Sequence, residues 1–317
     1  MKNRRGKSNS SRRGTQERAR WRLRLLANID RLMEKTVYIF DVDGTVLLEG
    51  SPVSGAREFI ELIRSLGKKI VFLTNNTSLT SDQHLHRILD KLELSADGVH
   101  VYSALDFLLS ELRRRRIRRI YPLFNRNVVN HLEEKGVVID DRKPQAVVVG
   151  FDTELTYEKL SMACTFIQKD TPWILAHPDM RCPVVNGYVP DAGSLGLVIR
   201  EVTEKSPAFV GGKPNSRMLL NVLRLLKIPT SDACFLGDRT YTDLKMGLQA
   251  KVQTVHLLTG ESTLEDLERF CASRKCGDNV LLGEDWAFLH KIFLEHLRRY
   301  RIQPDSGMKD TRRRTLF

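Results

Sequence analysis

A chain of 317 residues suffices for one large domain or two smaller ones, because a single core seldom grows past roughly 250–300 residues. Its 41% hydrophobic and 28% charged residues exclude a wholly disordered or collagenous protein, and no apolar run approaches the roughly 18 residues that a bilayer crossing requires. The net charge of +12 raises the question of a nucleic-acid partner, but residues 1–36 carry +9 and residues 291–317 carry +5, which leaves −2 for 37–290.

In chain order, residues 1–20 are rich in Arg, Ser and Gly without apolar periodicity, the composition of a disordered tail. The same Arg/Ser bias suits an organelle transit peptide, and a start of translation at Met33 would also leave a complete fold. Trp21 to Met33 reads as a short helix. From residue 37 onward, short β-branched or aromatic runs alternate with helical stretches, the pattern of an α/β domain with a parallel sheet. Val37 to Phe40 is the first strand. Phe59, Ile60, Ile63 and Leu66 give Ala56 to Leu66 a helical face that Gly67 terminates, and Lys69 to Leu73 is the second strand. Helices are expected over 82–94 and 103–116. Further strands are expected over 117–123, 146–149, 173–176, 233–236 and 253–257. The five cysteines show neither CxxC spacing nor a histidine partner motif, which argues against a disulfide framework or zinc and for a reducing compartment, the cytoplasm.

Chemistry concentrates at the strand ends. Asp41-Val42-Asp43-Gly44-Thr45 follows the first strand, at the rim where open α/β sheets bind ligands. A spacing of two sends the carboxylates on different headings, so Asp41 suits a nucleophile that becomes an aspartyl-phosphate, and Asp43 a general acid and then base. Two carboxylates would repel a phosphate without a cation, hence the expectation of Mg²⁺. Thr74-Asn75-Asn76 follows the second strand with a hydroxyl and amides for phosphate oxygens. Lys213 lies in Gly211-Gly212-Lys213-Pro214 ahead of a helix, where an ammonium meets an anion. Gly237 to Asp243 offers Asp238 as an oxygen ligand for the cation and Asp243 as its support. Taken singly, each of these is also a turn, a helix N-cap or a solvated lysine.

Four such segments in fixed order make the chain resemble the haloacid dehalogenase (HAD) superfamily of phosphohydrolases. The resemblance rests on DVDGT (41–45), TNN (74–76), GGKP (211–214) and GDRTYTD (237–243). Residues 149–160, 177–199 and 255–263 resemble its NagD-like branch, subfamily IIA. The resemblance covers residues 35 to 290 and implies a Rossmann-like parallel-sheet α/β core with an inserted α/β cap of the C2 type. The implied division is a basic tail and short helix over 1–34, core over 35–117 and 206–296, cap over 118–205, and a basic tail over 297–317. It also implies that Mg²⁺ is held by the Asp41 carboxylate, the Asp43 carbonyl and the Asp238 carboxylate with Asp243 beside them. Thr74, Asn75 and Asn76 would bind phosphate or substrate, and Lys213 would offset charge on the transferring phosphoryl group. Phe151 and the stretch Met180 to Asn186 are expected to face the substrate, with Phe151 equally suited to the core. His177 stands where the branch more often has asparagine.

The sequence therefore reads as a cytoplasmic, Mg²⁺-dependent phosphatase of a small phosphorylated metabolite, with a homodimer through the cap and no membrane contact. Two alternatives remain beside it. One is a nucleic-acid- or ribosome-associated protein acting through its basic ends, and the other is a phosphotransferase on the same scaffold.

Overall fold

The computed structural model describes residues 4–300 apart from Lys275, with side chains described from residue 14 onward. Helices α1 (Arg4–Ala27) and α2 (Ile29–Met33) precede strand β1 (Val37–Asp41). A small hairpin, β2 (Leu47–Leu48) and β3 (Ser51–Pro52), leads into α3 (Ala56–Ser65), β4 (Lys69–Thr74), α4 (Ser81–Leu92), β5 (Val99–Ser103) and α5 (Ala104–Arg114). The chain then builds β6 (Arg119–Leu123), α6 (Arg126–Glu134), β7 (Val138–Ile139), β8 (Ala146–Val149), α7 (Tyr157–Gln168) and β9 (Trp173–Leu175). A hairpin of β10 (Arg181–Val184) and β11 (Gly187–Pro190), helix α8 (Ala192–Thr203) and strand β12 (Phe209–Val210) follow. It closes with α9 (Ser216–Leu226), β13 (Ala233–Gly237), a π-helical turn over Thr240–Leu244, α10 (Lys245–Ala250), β14 (Gln253–Leu257), α11 (Leu264–Arg274), β15 (Val280–Glu284) and α12 (Trp286–Tyr300).

Two parallel sheets result, in the orders β15-β14-β13-β1-β4-β5 and β12-β9-β8-β6-β7. Strand β1 is buried along its whole length, as a central parallel strand covered on both faces must be, which is why it reads as an unbroken apolar run. Side chains alternate across that sheet. Ile39, Val71 and Phe235 join one core cluster with α5 and α9, while Tyr38, Phe40 and Phe72 join another with α3 and α12. Helices α4 and α5 both start on capping boxes, Thr80 with Gln83 and Ser103 with Asp106, which fix where the chain turns after β4 and β5. The second sheet has its own core around Val147, Val149, Trp173 and Ile199. Its strand β12 falls past residue 205, so the second sheet reaches beyond the expected 118–205 segment.

The largest departure from the sequence reading is at the start of the chain. A disordered tail is expected through residue 20, yet α1 is helical from Arg4. The later turns are held by tertiary contacts: Arg18, Arg20, Arg22 and Arg24 pair with Glu284, Glu268 and Asp278 of the body, and Trp21 is buried. At the other end α12 extends to Tyr300, four residues into the expected tail, whose remainder lies outside the described residues. Among the described residues, no helix is long and apolar enough to cross a membrane.

Trp286 ties this framework to the rim of the sheet. It is fully buried against Phe40 and Phe59, and its indole N–H donates to the Thr45 carbonyl at 2.9 Å. Trp286→Ala is expected to lower the unfolding free energy in urea by about 3–5 kcal/mol, whereas Trp286→Phe, which leaves a smaller cavity and strands the Thr45 carbonyl, should cost less.

Candidate active site

Strands β4, β1 and β13 are adjacent and parallel, with Asp41 in register with Leu73 and Phe40 with Leu236. Their carboxyl ends therefore release Thr74, Asp41 and Asp238 at one edge, where ligands of open α/β sheets bind. Asp41, Asp238 and Asp243 are buried there, with one carboxylate oxygen from each lying within 4.8 Å of the others. Lys213 inserts its ammonium between two of them, contacting Asp41 Oδ1 and standing 2.8 Å from Asp243 Oδ1.

Hydrogen bonds hold each acid in place. The Thr45 hydroxyl lies 3.2 Å from Asp41 Oδ2 and 2.9 Å from Asp238 Oδ1, bridging the two carboxylates although its single proton serves only one at a time. The Glu261 N–H donates to Asp238 Oδ2 at 2.8 Å, and the Arg239 N–H donates to Asp243 Oδ2 at 3.0 Å. Gly44 has a φ of +97°, and a Cβ there would stand 2.7 Å from Asp238 Oδ2, so both backbone and space demand glycine after Asp43.

Charge is crowded. Burial, reinforced by Asp41 and Asp243, pushes the Asp238 carboxyl up to about 7, and burial with Asp41 pushes Asp243 up to about 6. Burial alone would lower the Lys213 ammonium, but Asp243 and Asp41 reverse that and hold it above its ordinary value. Arg239 behaves alike: burial opposes its charge, and Asp41, Asp179 and Asp238 more than restore it. The donor set fits a hard divalent cation, which takes carboxylate oxygens and would relieve this repulsion.

Asp43 takes the other heading, away from the carboxylate group, with its Oδ1 3.1 Å from Arg87 on α4. It lines a cavity of about 20 Å³ together with Asp41, Thr74, Asn75, Asn76 and Lys213. That volume holds about one water. Asn75 is engaged in holding Lys213: its Oδ1 accepts the Lys213 N–H at 2.7 Å, and its Nδ2 donates to the Lys213 carbonyl and to Asp179, each at 3.1 Å. Asn76 folds back on Ser78, accepting its N–H at 2.9 Å.

Residues that the sequence reading did not weigh complete the cavity. Arg239, inside the quoted GDRTYTD segment, faces Asp179 at 3.6 Å and Glu261 at 3.1 Å. Asp179 and Asp191 line the wall beside the hairpin and α8. The available signal was their place beside His177, whose Nε2 lies 3.2 Å from Thr77 Oγ1 and 3.4 Å from Asp191. Of the stretch expected to face substrate, Arg181, Cys182 and Pro183 reach the cavity. Burial, with Asp191 and Asp43, pushes the Cys182 thiol up to about 12, which keeps it un-ionised and inert. Phe151 is buried beside the junction, its N–H bonded to Thr77 Oγ1 at 2.9 Å, and does not line the cavity.

An acidic cluster at the carboxyl edge of a parallel sheet, with a buried lysine and a loop of hydroxyl and amide donors, is the site architecture of a phosphohydrolase. Comparison with known proteins agrees. Residues 38–138 match a family model described as haloacid dehalogenase-like hydrolase, and residues 210–281 match a second, HAD-hydrolase-like model. An acid sugar phosphatase of Staphylococcus aureus is 30% identical over 236 residues, 73% of this chain and 89% of that protein. The structure of a 4-nitrophenylphosphatase from Thermotoga maritima superposes with a TM-score of 0.75 at 34% identity, covering 82% of this chain and 98% of that one. NagD of Escherichia coli K-12 shares the fold, with a TM-score of 0.70 at 24% identity over 79% of this chain and 96% of its own. The chain belongs to the haloacid dehalogenase-like hydrolase family and is a phosphatase of its NagD-like subfamily IIA.

The loop after β14 is the tightest support of the carboxylates. A Cβ on Gly260 would stand 2.1 Å from Asp238 Oδ2 and 2.7 Å from the Gly44 carbonyl. Gly260→Ala should displace Asp238 and lower kcat/KM for 4-nitrophenyl phosphate by about two orders of magnitude, measured by steady-state kinetics on protein whose circular dichroism is unchanged.

Proposed function

We propose that this phosphatase hydrolyses a small phosphomonoester through an aspartyl-phosphate on Asp41, with Mg²⁺ as its cation. The observation that carries this reading is the buried group of Asp41, Asp238 and Asp243, two of them paired with Lys213, at the edge where three parallel strands end. Asp41 is the nucleophile, and its carboxylate oxygen forms a bond to phosphorus as the bond to the leaving oxygen breaks. Asp43, on the opposite heading, gives its proton to that leaving oxygen. In the second half Asp43 takes a proton from water, the water oxygen attacks phosphorus, and Asp41 is released with inorganic phosphate. Lys213 and the Thr74 hydroxyl neutralise and orient the phosphoryl oxygens. Asn75 acts by fixing Lys213, and Asn76 by shaping the turn after Thr74.

The Asp41 and Asp238 carboxylates and the Asp43 carbonyl would hold Mg²⁺, with Asp243 supporting them. When bound, the cation supplies positive charge that lets a dianionic phosphate approach an aspartate.

The segment 118–205, extended by β12, serves as the cap. Its hairpin and α8 close over the cavity through Asp179 with Arg239 and through Arg181 with Glu261, which lie 3.1 Å apart. A lid of this kind excludes water and selects the leaving group. The names of the relatives favour a sugar phosphate as substrate and 4-nitrophenyl phosphate as a surrogate. The cysteines, all unpaired, suit a cytoplasmic protein. A second copy of the chain is the proposed partner of the cap, whose Leu197, Val198 and Val202 on α8 and Val185 and Tyr188 on the hairpin expose apolar surface.

Asp41→Asn should reduce turnover of 4-nitrophenyl phosphate by at least about four orders of magnitude while the melting curve stays cooperative. EDTA should abolish activity and added magnesium restore it. Hydrolysis that persists in a clean Asp41→Asn preparation, or that is indifferent to EDTA, contradicts the mechanism. Light scattering should give the mass of a dimer for the intact chain, and Val202→Asp should shift it to the monomer.

A further inference from the structure

Helix α1 lies ahead of residue 38, where the family match begins, and the proposed mechanism gives it no task. It nevertheless grips three segments of the body. Arg22 donates to Glu284 through Nε at 2.6 Å and through Nη2 at 3.1 Å, and Arg18 stands 3.5 Å from the same carboxylate. Arg20 pairs with Glu268 of α11 at 2.9 Å, and the Trp21 indole N–H donates to that glutamate as well. Arg24 meets Asp278 at 3.1 Å. Trp21 is 2% exposed and completes a core cluster with Leu244, Leu267, Phe270, Val280 and Leu282.

Two of these attachments stand one step from the carboxylates. Leu244 follows Asp243 and ends the π-helical turn that carries it. Glu284 accepts the Leu258 N–H on its carbonyl at 2.7 Å, which fixes the start of the loop after β14. In that loop the Thr259 hydroxyl donates to the Gly44 carbonyl at 2.9 Å, and the Glu261 N–H reaches Asp238 at 2.8 Å. Glu284 itself holds a φ of +54°, a conformation glutamate enters at a cost, while its side chain is held by two arginines.

We propose that α1 is a positioning element of the phosphatase site: Trp21 acting through Leu244, and Arg18 with Arg22 acting through Glu284, set the segments that aim Asp243 and Asp238. This rests on the reading of those aspartates as the cation's ligand and its support. Magnesium demands near-ideal octahedral geometry, so a small shift in either carboxylate weakens binding. No described residue of α1 lines the cavity, so substrate affinity is not expected to follow.

The test uses the full chain. Arg18→Ala/Arg22→Ala, at two side chains 47% and 52% exposed, and Trp21→Ala are compared with the wild type by calorimetric titration of magnesium into EDTA-stripped protein. The magnesium Kd should rise about tenfold in both variants, while KM for 4-nitrophenyl phosphate at saturating magnesium moves less than about twofold. Trp21→Phe, which keeps an aromatic ring in the cluster, should recover most of the affinity. If Trp21→Ala fails to fold, the arginine pair decides. A magnesium Kd within about twofold of wild type in folded variants, with only the melting temperature lowered, overturns the proposal and leaves α1 a brace. A wild-type protein that binds no magnesium overturns the ligand reading beneath it, a failure visible in the first titration.

Discussion

The fold is organised around a buried crowd of negative charge. Asp41 and Asp243 share one ammonium, Lys213, with Asp238 beside them, and burial together with its acidic neighbours drives the Asp238 carboxyl up to about 7. Burial and mutual repulsion both oppose charge on Asp238 and Asp243, and the groups around them offset part of that cost. Thr45, the Glu261 and Arg239 backbone amides and the Arg239 guanidinium supply donors and positive charge. A parallel sheet suits this purpose because its strands all end on one edge, which brings segments nearly 200 residues apart to a single point.

The second layer of constraint is closure. Asn75 binds the Lys213 backbone at both its N–H and its carbonyl and then reaches Asp179, so the lysine and the wall opposite are held by one side chain. Arg239 is shared between the acids of the rim and Asp179. Motion of the upper wall therefore changes the electrostatics of the cavity, which is how a lid can couple substrate entry to catalysis. The basic start of the chain enters the same economy of charge. Arg18, Arg20, Arg22 and Arg24 are occupied by the chain's own glutamates and aspartate, which weakens the case for that part of α1 as a nucleic-acid surface.

Much of the core and of the acidic rim was legible because local pattern and tertiary need coincide there. An apolar run followed by Asp41-Val42-Asp43-Gly44-Thr45 is a buried parallel strand and an acidic rim in one stretch, and Gly44 is required both by its φ of +97° and by the nearness of Asp238. What stayed hidden depends on distant partners. Nothing local says that Arg87 will face Asp43, or that Arg239 will answer Asp179, since an arginine on a helix or turn is ordinarily solvated. The part of α1 ahead of Trp21 was missed for the same reason: its composition is that of a tail, and the anchors of the helix, Glu268, Asp278, Glu284 and the pocket for Trp21, lie far along the chain. Asn75 reads as a donor to substrate, whereas its bonds go to Lys213, a partner 138 residues away.

The most direct test of this charge balance is anomalous diffraction from crystals grown with manganese, a cation of similar preference for carboxylate oxygens. The account expects one strong peak bound by Asp41 and Asp238 with Asp243 beside it. A manganese ion bound elsewhere, with no peak among Asp41, Asp238 and Asp243, would contradict it.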